Sequence, residues 1–214
     1  CPEISIPLDP LLTPQQNAAK YYKRYNKAKT AEKYLREQME IARRDLEYLG
    51  SVQEAIEHGE TEQDFIDLRN ELKDAGFLRK QGKKEQKRPS KPREFRTSSG
   101  FRVLVGRNNR QNDQLTLKDA DHRDIWFHTQ KIHGSHVILC SGGTEVDDDT
   151  VVEAAMIAAW YSQARESGNV PVDYTPVKYV KKPSGARPGM VIYHTYQTVN
   201  VTPKEEFVKT LRVK

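Results

Sequence analysis

Histidine and aspartate side chains are concentrated between residues 121 and 136 of the chain. The group comprises Asp121, His122, Asp124, His128, His133 and His136. Imidazole and carboxylate groups are ordinary ligands of zinc or iron, and Asp124 with His128 could form an acid/base pair. No cysteine pair or helical ligand pair accompanies them. Three interpretations therefore stay open: a metal site, histidines with a structural role, and histidines that stack on or hydrogen-bond a ligand.

Two apolar runs position this group. Residues 125–127 and 137–139 are typical of buried strands, and the Gly134-Ser135 pair between them permits a sharp reversal of the backbone. We interpret the intervening segment as a recognition turn. Its candidate residues are Asp124, His128, Gly134, Ser135 and His136.

The chain lacks the common sequence signatures of enzymes. It contains no phosphate-binding Walker loop, no dinucleotide fingerprint and no nucleophile elbow. The histidine spacing also matches no familiar metal motif. We therefore expect no catalytic residues, no resident metal and no cofactor.

Two polar loops carry cations that suit phosphate groups. The first, residues 106–113, combines arginines with residues that tolerate a left-handed backbone, and it precedes a short helix. The second, residues 181–189, is basic and rigid. The predicted RNA contacts are Arg107, Asn108, Asn109, Arg110, Lys181, Lys182 and Arg187. The alternative is that both loops are exposed connections.

Composition divides the chain into three parts. Residues 1–78 are rich in charge and helix formers and predict a helical coiled-coil arm. Residues 79–93 form a basic, flexible linker that serves as a hinge or follows phosphates. Residues 94–214 hold both tryptophans and most valines, which predicts a compact α+β or α/β domain with a mixed sheet. A net charge of +5 suggests an acidic partner without requiring one.

The first helix of the predicted arm starts at Thr13-Pro14, a helix-start signal, and breaks at Gly50, although Val52 and Ile56 could carry it one turn further. A second helix is predicted from Thr61 to about Ala75. Apolar residues recur along the arm at steps of three and four, as in a coiled-coil seam. A narrow seam on a charged helix cannot be buried by that helix alone. We expect a further helix from the parent protein, or a second copy, to cover it.

Several motifs together resemble the NFACT-R domain. They are the segments 95–101, 105–109, 112–113, 124–128 and 134–137, in that order. Upstream, residues 8–14 and 21–29 resemble the tip and returning helix of the middle coiled coil of NFACT-family proteins. The resemblance covers nearly the whole chain and implies that an N-terminal region of the family is absent from it.

The resemblance implies a function. Members of the NEMF and RqcH type are implied to bind the large ribosomal subunit and tRNA at stalled nascent chains and to support template-free alanine tailing, with peptide transfer left to the ribosome. This predicts a cytoplasmic, ribosome-associated protein. Bacterial members are also called fibronectin-binding proteins, so the alternative is a surface adhesin, although no export signal is visible. No apolar run is long enough to insert into a membrane.

Overall fold

The computed structural model of the protein describes residues 3–79 and 90–213. The helices in these residues are α1 (Pro14–Glu57), α2 (Glu62–Asp74), α3 (Asn109–Gln114), α4 (Asp148–Trp160) and α5 (Glu205–Thr210). A π-helical turn, Leu115–Asp119, follows α3, and a 3₁₀ turn, Val177–Tyr179, follows the fifth strand. The predicted linker cations Lys80, Lys83, Lys84, Lys87 and Arg88 lie outside the described residues.

The strands form one sheet and one ribbon. They are β1 (Arg93–Arg96), β2 (Arg102–Val105), β3 (Ile125–Thr129), β4 (Val137–Cys140), β5 (Val170–Pro176), β6 (Val180–Lys181), β7 (Ile192–Tyr193) and β8 (Gln197–Val201). The sheet has the order β1-β2-β4-β3-β5-β8, and β6 pairs with β7 in a separate two-stranded ribbon. The predicted α+β class is confirmed. Every described pairing is antiparallel, rather than mixed as expected. The strands that α4 joins, β4 and β5, lie on opposite sides of β3 and do not pair with each other.

Both faces of the sheet are covered. Alternate residues such as Val103, Phe127 and Leu139 pack under α4 and α5 in the larger core. The residues of opposite parity, including Trp126 and Ile138, pack against the π-helical turn and the ribbon in a second core. The histidine-bearing strands therefore lie inside the domain, between two apolar layers.

Helix α1 continues past Gly50 to Glu57, the longer of the two predicted ends. At the start of the helix, the Thr13 hydroxyl accepts a 3.2 Å hydrogen bond from the Gln16 backbone, and the Gln16 side-chain oxygen accepts a 2.8 Å hydrogen bond from the Thr13 backbone. Gly50 lies inside the helix, and a Cβ atom there would come within 2.6 Å of the His133 ring. The glycine thus permits a close approach of His133.

The contacts divide the chain at a different place from the composition. The compact units are residues 1–47 and residues 48–214, whereas the predicted arm ended at 78 and the predicted domain began at 94. Tyr48, Val52 and Leu68 form a buried apolar cluster that packs the end of α1 against α2. Burial of each such side chain contributes roughly 1.5–3 kcal/mol. These helical residues therefore belong to the second unit.

In the first unit, the predicted seam is exposed. Leu35, Met39 and Leu46 are all accessible to solvent. Whether another helix covers them stays a prediction. Among the residues that the structure describes, no helix is both long enough and apolar enough to span a bilayer.

Candidate nucleic-acid interface

The two asparagines of the first polar loop are structural. Asn108 accepts a 2.8 Å hydrogen bond from the Gln111 backbone and caps α3. Asn109 donates to the Glu71 carboxylate at 3.1 Å and to the Ser51 hydroxyl at 2.9 Å. Each asparagine is only 5% exposed. The prediction that they contact RNA does not fit this burial, because their polar groups are already satisfied inside the protein.

The two arginines of this loop contact acidic residues of α2. Arg107 lies 3.1 Å from Asp64 and keeps only 14% of its side chain exposed. Arg110 lies 2.7 Å from Asp74, with 43% of its side chain exposed. The pKa of Asp64 is lowered despite its burial, since backbone hydrogen bonds and Arg107 stabilise the carboxylate. These cations attach α2 to the sheet domain, and only Arg110 still presents substantial charge to solvent.

The second polar loop likewise has cations with contacts inside the protein and a cation that faces solvent. Lys182 forms an ion pair with Asp113 and donates to the Arg187 carbonyl at 3.0 Å. The Arg187 guanidinium lies over the rings of Tyr48 and Phe77, at 5.4 and 5.0 Å. Lys181 is exposed. Two of the three predicted RNA-binding cations thus hold the loop against the domain, whereas Lys181 faces solvent.

One predicted linker cation belongs to the core. Arg93 begins β1, is 2% exposed, and lies 4.7 Å from the centre of the Tyr161 ring. It donates to the His58 carbonyl and to the Glu60 carboxylate, the latter at 3.4 Å. The prediction of a solvated linker is wrong at this residue, because its guanidinium is enclosed by an aromatic ring and acceptors.

In the recognition turn, Asp124 and His136 are buried and have intramolecular partners. Asp124 accepts 2.9 Å hydrogen bonds from the backbones of Asp121 and Gly142. His136 Nδ1 lies 2.8 Å from the Thr116 hydroxyl. Burial lowers the pKa of His136 to about 3, so its ring is neutral at physiological pH.

Aromatic packing fixes the remaining histidine of the turn. His128 stacks on Trp126 with ring centres 5.6 Å apart and an interplanar angle of 6°. His136 meets the same indole edge-on at 5.3 Å. Gly134 approaches Ser162, and the Ser135 backbone donates to the Tyr161 carbonyl at 2.8 Å. The turn therefore joins the sheet to the end of α4. This arrangement favours the structural interpretation of its histidines.

Among residues 3–79 and 90–213, no cluster of three or more His, Cys, Asp or Glu side chains is arranged to hold a metal ion. A buried carboxylate does occur beside the histidines, at Asp173. It accepts hydrogen bonds from Tyr193 at 2.7 Å and from Thr198 at 2.6 Å. These hydroxyl donors attach the ribbon and β8 to strand β5, which carries Asp173.

The outer side of the β6–β7 ribbon presents a different combination of side chains. Val180 pairs with Tyr193, and both pack inward on Trp126 in the second core. The neighbouring pair, Lys181 and Ile192, is exposed, as are Lys178 and His194, and Tyr179 is half-buried. We call this set the ribbon patch: Lys178, Tyr179, Lys181, Ile192 and His194. It combines exposed cations with rings that are accessible to a ligand.

Comparison with known proteins identifies relatives of this chain. Residues 1–91 match the model of the NFACT N-terminal and middle domains, and residues 91–195 match that of the NFACT protein RNA binding domain. The solved C-terminal part of the fibronectin/fibrinogen-binding protein of Streptococcus suis is 35% identical, with a TM-score of 0.82, over 93% of this chain and 80% of that one. The chain belongs to the NFACT family.

Curated relatives agree with this assignment. The Rqc2 homolog RqcH of Bacillus subtilis is 42% identical over 99% of this chain, and that of Streptococcus pneumoniae strain D39 is 39% identical over 98%. This NFACT chain spans 37% and 38% of the lengths of these two relatives.

In this NFACT chain, four of the five members of the ribbon patch were not predicted from the sequence. Only Lys181 was among the predicted contacts. The other four are Lys178, Tyr179, Ile192 and His194. Strand alternation was an available signal for Ile192 and His194, since Tyr193 between them faces inward. It gave no signal for Lys178 and Tyr179, which lie on the 3₁₀ turn.

Proposed function

We propose that this NFACT chain is the RNA-binding part of a ribosome-quality-control factor. In this role it binds the large ribosomal subunit and tRNA at stalled nascent chains and supports template-free alanine tailing of those chains. The match of residues 91–195 to an RNA-binding domain carries the proposal, and the similarity to RqcH proteins supports it. The protein would act in the cytoplasm on ribosomes.

The exposed cations are consistent with such a partner. Lys181, Lys178 and Arg110 present positive charge on the second unit, where phosphate groups can replace their hydration. We propose no chemical step for the chain itself. Peptide transfer would remain with the ribosome, and the chain would position tRNA.

Binding at several salt concentrations tests this function. Purified large ribosomal subunits and total tRNA would be titrated with the protein, and the dissociation constants measured. Because each phosphate contact releases counterions, affinity should fall as salt rises, with a log–log slope of about −0.7 to −0.9 for each contact. The absence of binding to both partners, or binding insensitive to salt, would overturn the proposal.

A matched pair of variants makes the test specific. Lys178→Ala/Lys181→Ala removes two cations from the ribbon patch, and Arg69→Ala/Lys204→Ala removes two exposed cations elsewhere on the second unit. The net charge change is the same. The first pair should weaken binding and flatten the salt slope by up to about two contacts, whereas the second should change it less.

A second candidate is an adhesin on the cell surface. It is favoured by the name of the similar Streptococcus suis protein, which is described as binding fibronectin and fibrinogen. Protease treatment of intact cells, with a cytoplasmic protein as the control, separates the two functions. Degradation of this protein while the control stays intact would support the adhesin, and protection of both would contradict it.

A further inference from the structure

The β6–β7 ribbon has an inner and an outer face with different roles. Tyr193 packs inward, 4.7 Å from the Trp126 ring centre, and its hydroxyl is held by Asp173. The opposite face leaves Ile192 58% exposed beside Lys181, its partner across the ribbon. An anchored inner layer therefore supports an outer surface that the domain itself leaves uncovered.

Two rings lie side by side on the outer face. The centres of the Tyr179 and His194 rings are 5.2 Å apart, at an interplanar angle of 53°. The Lys178 ammonium lies 5.0 Å from the centre of the Tyr179 ring. The rings are tilted rather than stacked face to face. A flat aromatic ligand can thus contact one ring by its face and the other by its edge.

The backbone that carries His194 is held in place from within the sheet. Thr195, the next residue, has a φ of 54°, in the left-handed region that a β-branched residue rarely adopts. The buried Thr175 hydroxyl lies 3.3 and 3.0 Å from the carbonyl oxygens of His194 and Thr195 and donates to this pair. An uncommon conformation beside an exposed ring, fixed by a buried hydrogen bond, is typical of a preorganised site.

The chemistry of the patch selects one kind of ligand. Aromatic side chains stack on nucleobases, and lysines contact phosphates. Stacking requires a base whose face is free, whereas bases in an A-form duplex already stack on one another. Tyr179 ends the 3₁₀ turn and Lys181 follows two residues later on β6, while the Lys178 ammonium lies 5.0 Å from the Tyr179 ring centre, so cations flank the stacking ring on both sides in the chain.

We propose that the ribbon patch binds an unpaired nucleotide of RNA, with its base on the Tyr179 and His194 rings and its phosphates on Lys178 and Lys181. This inference rests on the proposed function and adds the state of the RNA that is recognised. The two basic loops have a different role, since most of their cations attach the loops to the domain.

Binding of single-stranded RNA is compared with binding of a duplex. The full chain would be titrated into a labelled single strand of about ten nucleotides and into a duplex of the same length, with fluorescence anisotropy as the readout. Tyr179→Leu keeps an apolar side chain but removes the ring. Combined with His194→Ala, it should weaken single-strand binding roughly tenfold and change duplex binding by less than about twofold.

Conservative and distant variants control the comparison. Tyr179→Phe keeps the ring and should retain single-strand affinity, and Tyr34→Ala removes an exposed tyrosine from the first unit without affecting it. Thermal unfolding of each variant verifies folding. If the double variant is unstable, Tyr179→Leu alone is compared with Tyr179→Phe.

The outcomes separate this inference from the proposed function. Loss of single-strand binding alone supports the inference. If the wild-type protein binds RNA in a salt-dependent way but the Leu and Phe variants bind equally well, the inference is overturned and the proposed function stands. Equal loss of single-strand and duplex binding would likewise overturn it, because the patch would then contact only phosphates. Failure of the wild-type protein to bind either RNA, ribosomal subunits or tRNA overturns both.

Discussion

His136 is a neutral histidine that folding buries away from water. Its pKa falls to about 3 because the ring is buried, with smaller contributions from nearby His128 and Lys182. In the unfolded chain an ordinary histidine has a pKa of about 6.5. Between these values the unfolded state binds the additional proton. The stabilisation is therefore complete above about pH 6.5 and is lost as the pH falls toward 3.

Replacement of His136 by glutamine should flatten this acid dependence. The amide can keep a hydrogen bond to Thr116 but cannot take up the proton. One proton corresponds to at most about 1.4 kcal/mol per pH unit. Urea unfolding between pH 6.5 and 5 measures the slope. His122→Gln, at an exposed position, is the control. An unchanged slope in His136→Gln would show that another group is responsible.

Gly134 lies where the neighbouring atoms leave no room for a side chain. A Cβ atom there would lie 2.8 Å from Ser162 Cβ and 2.9 Å from Thr129 Oγ1. Gly134→Ala should lower the free energy of unfolding by about 2 kcal/mol, as overpacked cores do. At Gly168 the nearest atom is 3.9 Å away. Gly168→Ala should change stability by less than about 0.5 kcal/mol. Equal effects in chemical denaturation would contradict the packing role of Gly134.

For individual residues, the sequence predicted the position of the turn but not the contacts that its side chains make. Two apolar runs around Gly134-Ser135 indicated strands and a reversal, and β3 and β4 occur there. The partner of His136 is Thr116, twenty residues earlier, on a π-helical turn. No local pattern encodes that contact. A conspicuous histidine cluster therefore looked as much like a ligand site as like a packed interior.

At the scale of elements, α2 is attached by polar contacts as well as apolar ones. Glu71 is fully buried and accepts hydrogen bonds from Tyr48 and Asn109, at 2.8 and 3.1 Å. The arginines of the first polar loop add ion pairs to Asp64 and Asp74. The first polar loop thus attaches α2 to the sheet domain.

Asn109→Asp tests this attachment. It would place a second carboxylate beside buried Glu71 and remove two donated hydrogen bonds, at a cost of about 2–4 kcal/mol in the free energy of unfolding. Asn200→Asp makes the same change at an exposed position on β8 and should cost less than about 0.5 kcal/mol. Equal stabilities of the two variants would contradict the buried contact.

Two elements escaped sequence analysis for physical reasons. Strand β5 contains Pro171 and Pro176, and proline normally argues against an inner strand. Both lie near its ends, which leaves the middle of the strand free to pair with β3 and β8. The short helix α5 has little periodicity to detect. By contrast, the longer α4 has a wide apolar face and an acidic first turn, which are signals that a sequence displays.

For the molecule as a whole, the cations divide into those that stabilise the fold and those that face solvent. Composition alone could not make this division, because an arginine paired with Asp64 and a lysine in solvent contribute equally to the net charge. Composition likewise could not show that contacts between residues about 40 positions apart place α2 in the second unit.

Arg107→Ala separates the two roles. Its removal leaves the carboxylate of Asp64, which is 1% exposed, without this partner, and should lower the free energy of unfolding by about 2 kcal/mol. RNA affinity of the folded variant should stay within about twofold of the wild type. Chemical denaturation and RNA titration of the same preparation measure both quantities. A tenfold loss of affinity with unchanged stability would instead place Arg107 on RNA.

Crosslinking in cells tests the central claim most directly. The complete protein would be crosslinked to RNA by ultraviolet light and purified under denaturing conditions, and the attached RNA would be sequenced. We expect large-subunit ribosomal RNA and tRNA to be enriched, and we expect the Tyr179→Leu/His194→Ala variant to reduce this enrichment. Recovery of neither RNA above the level of an uncrosslinked control would contradict it.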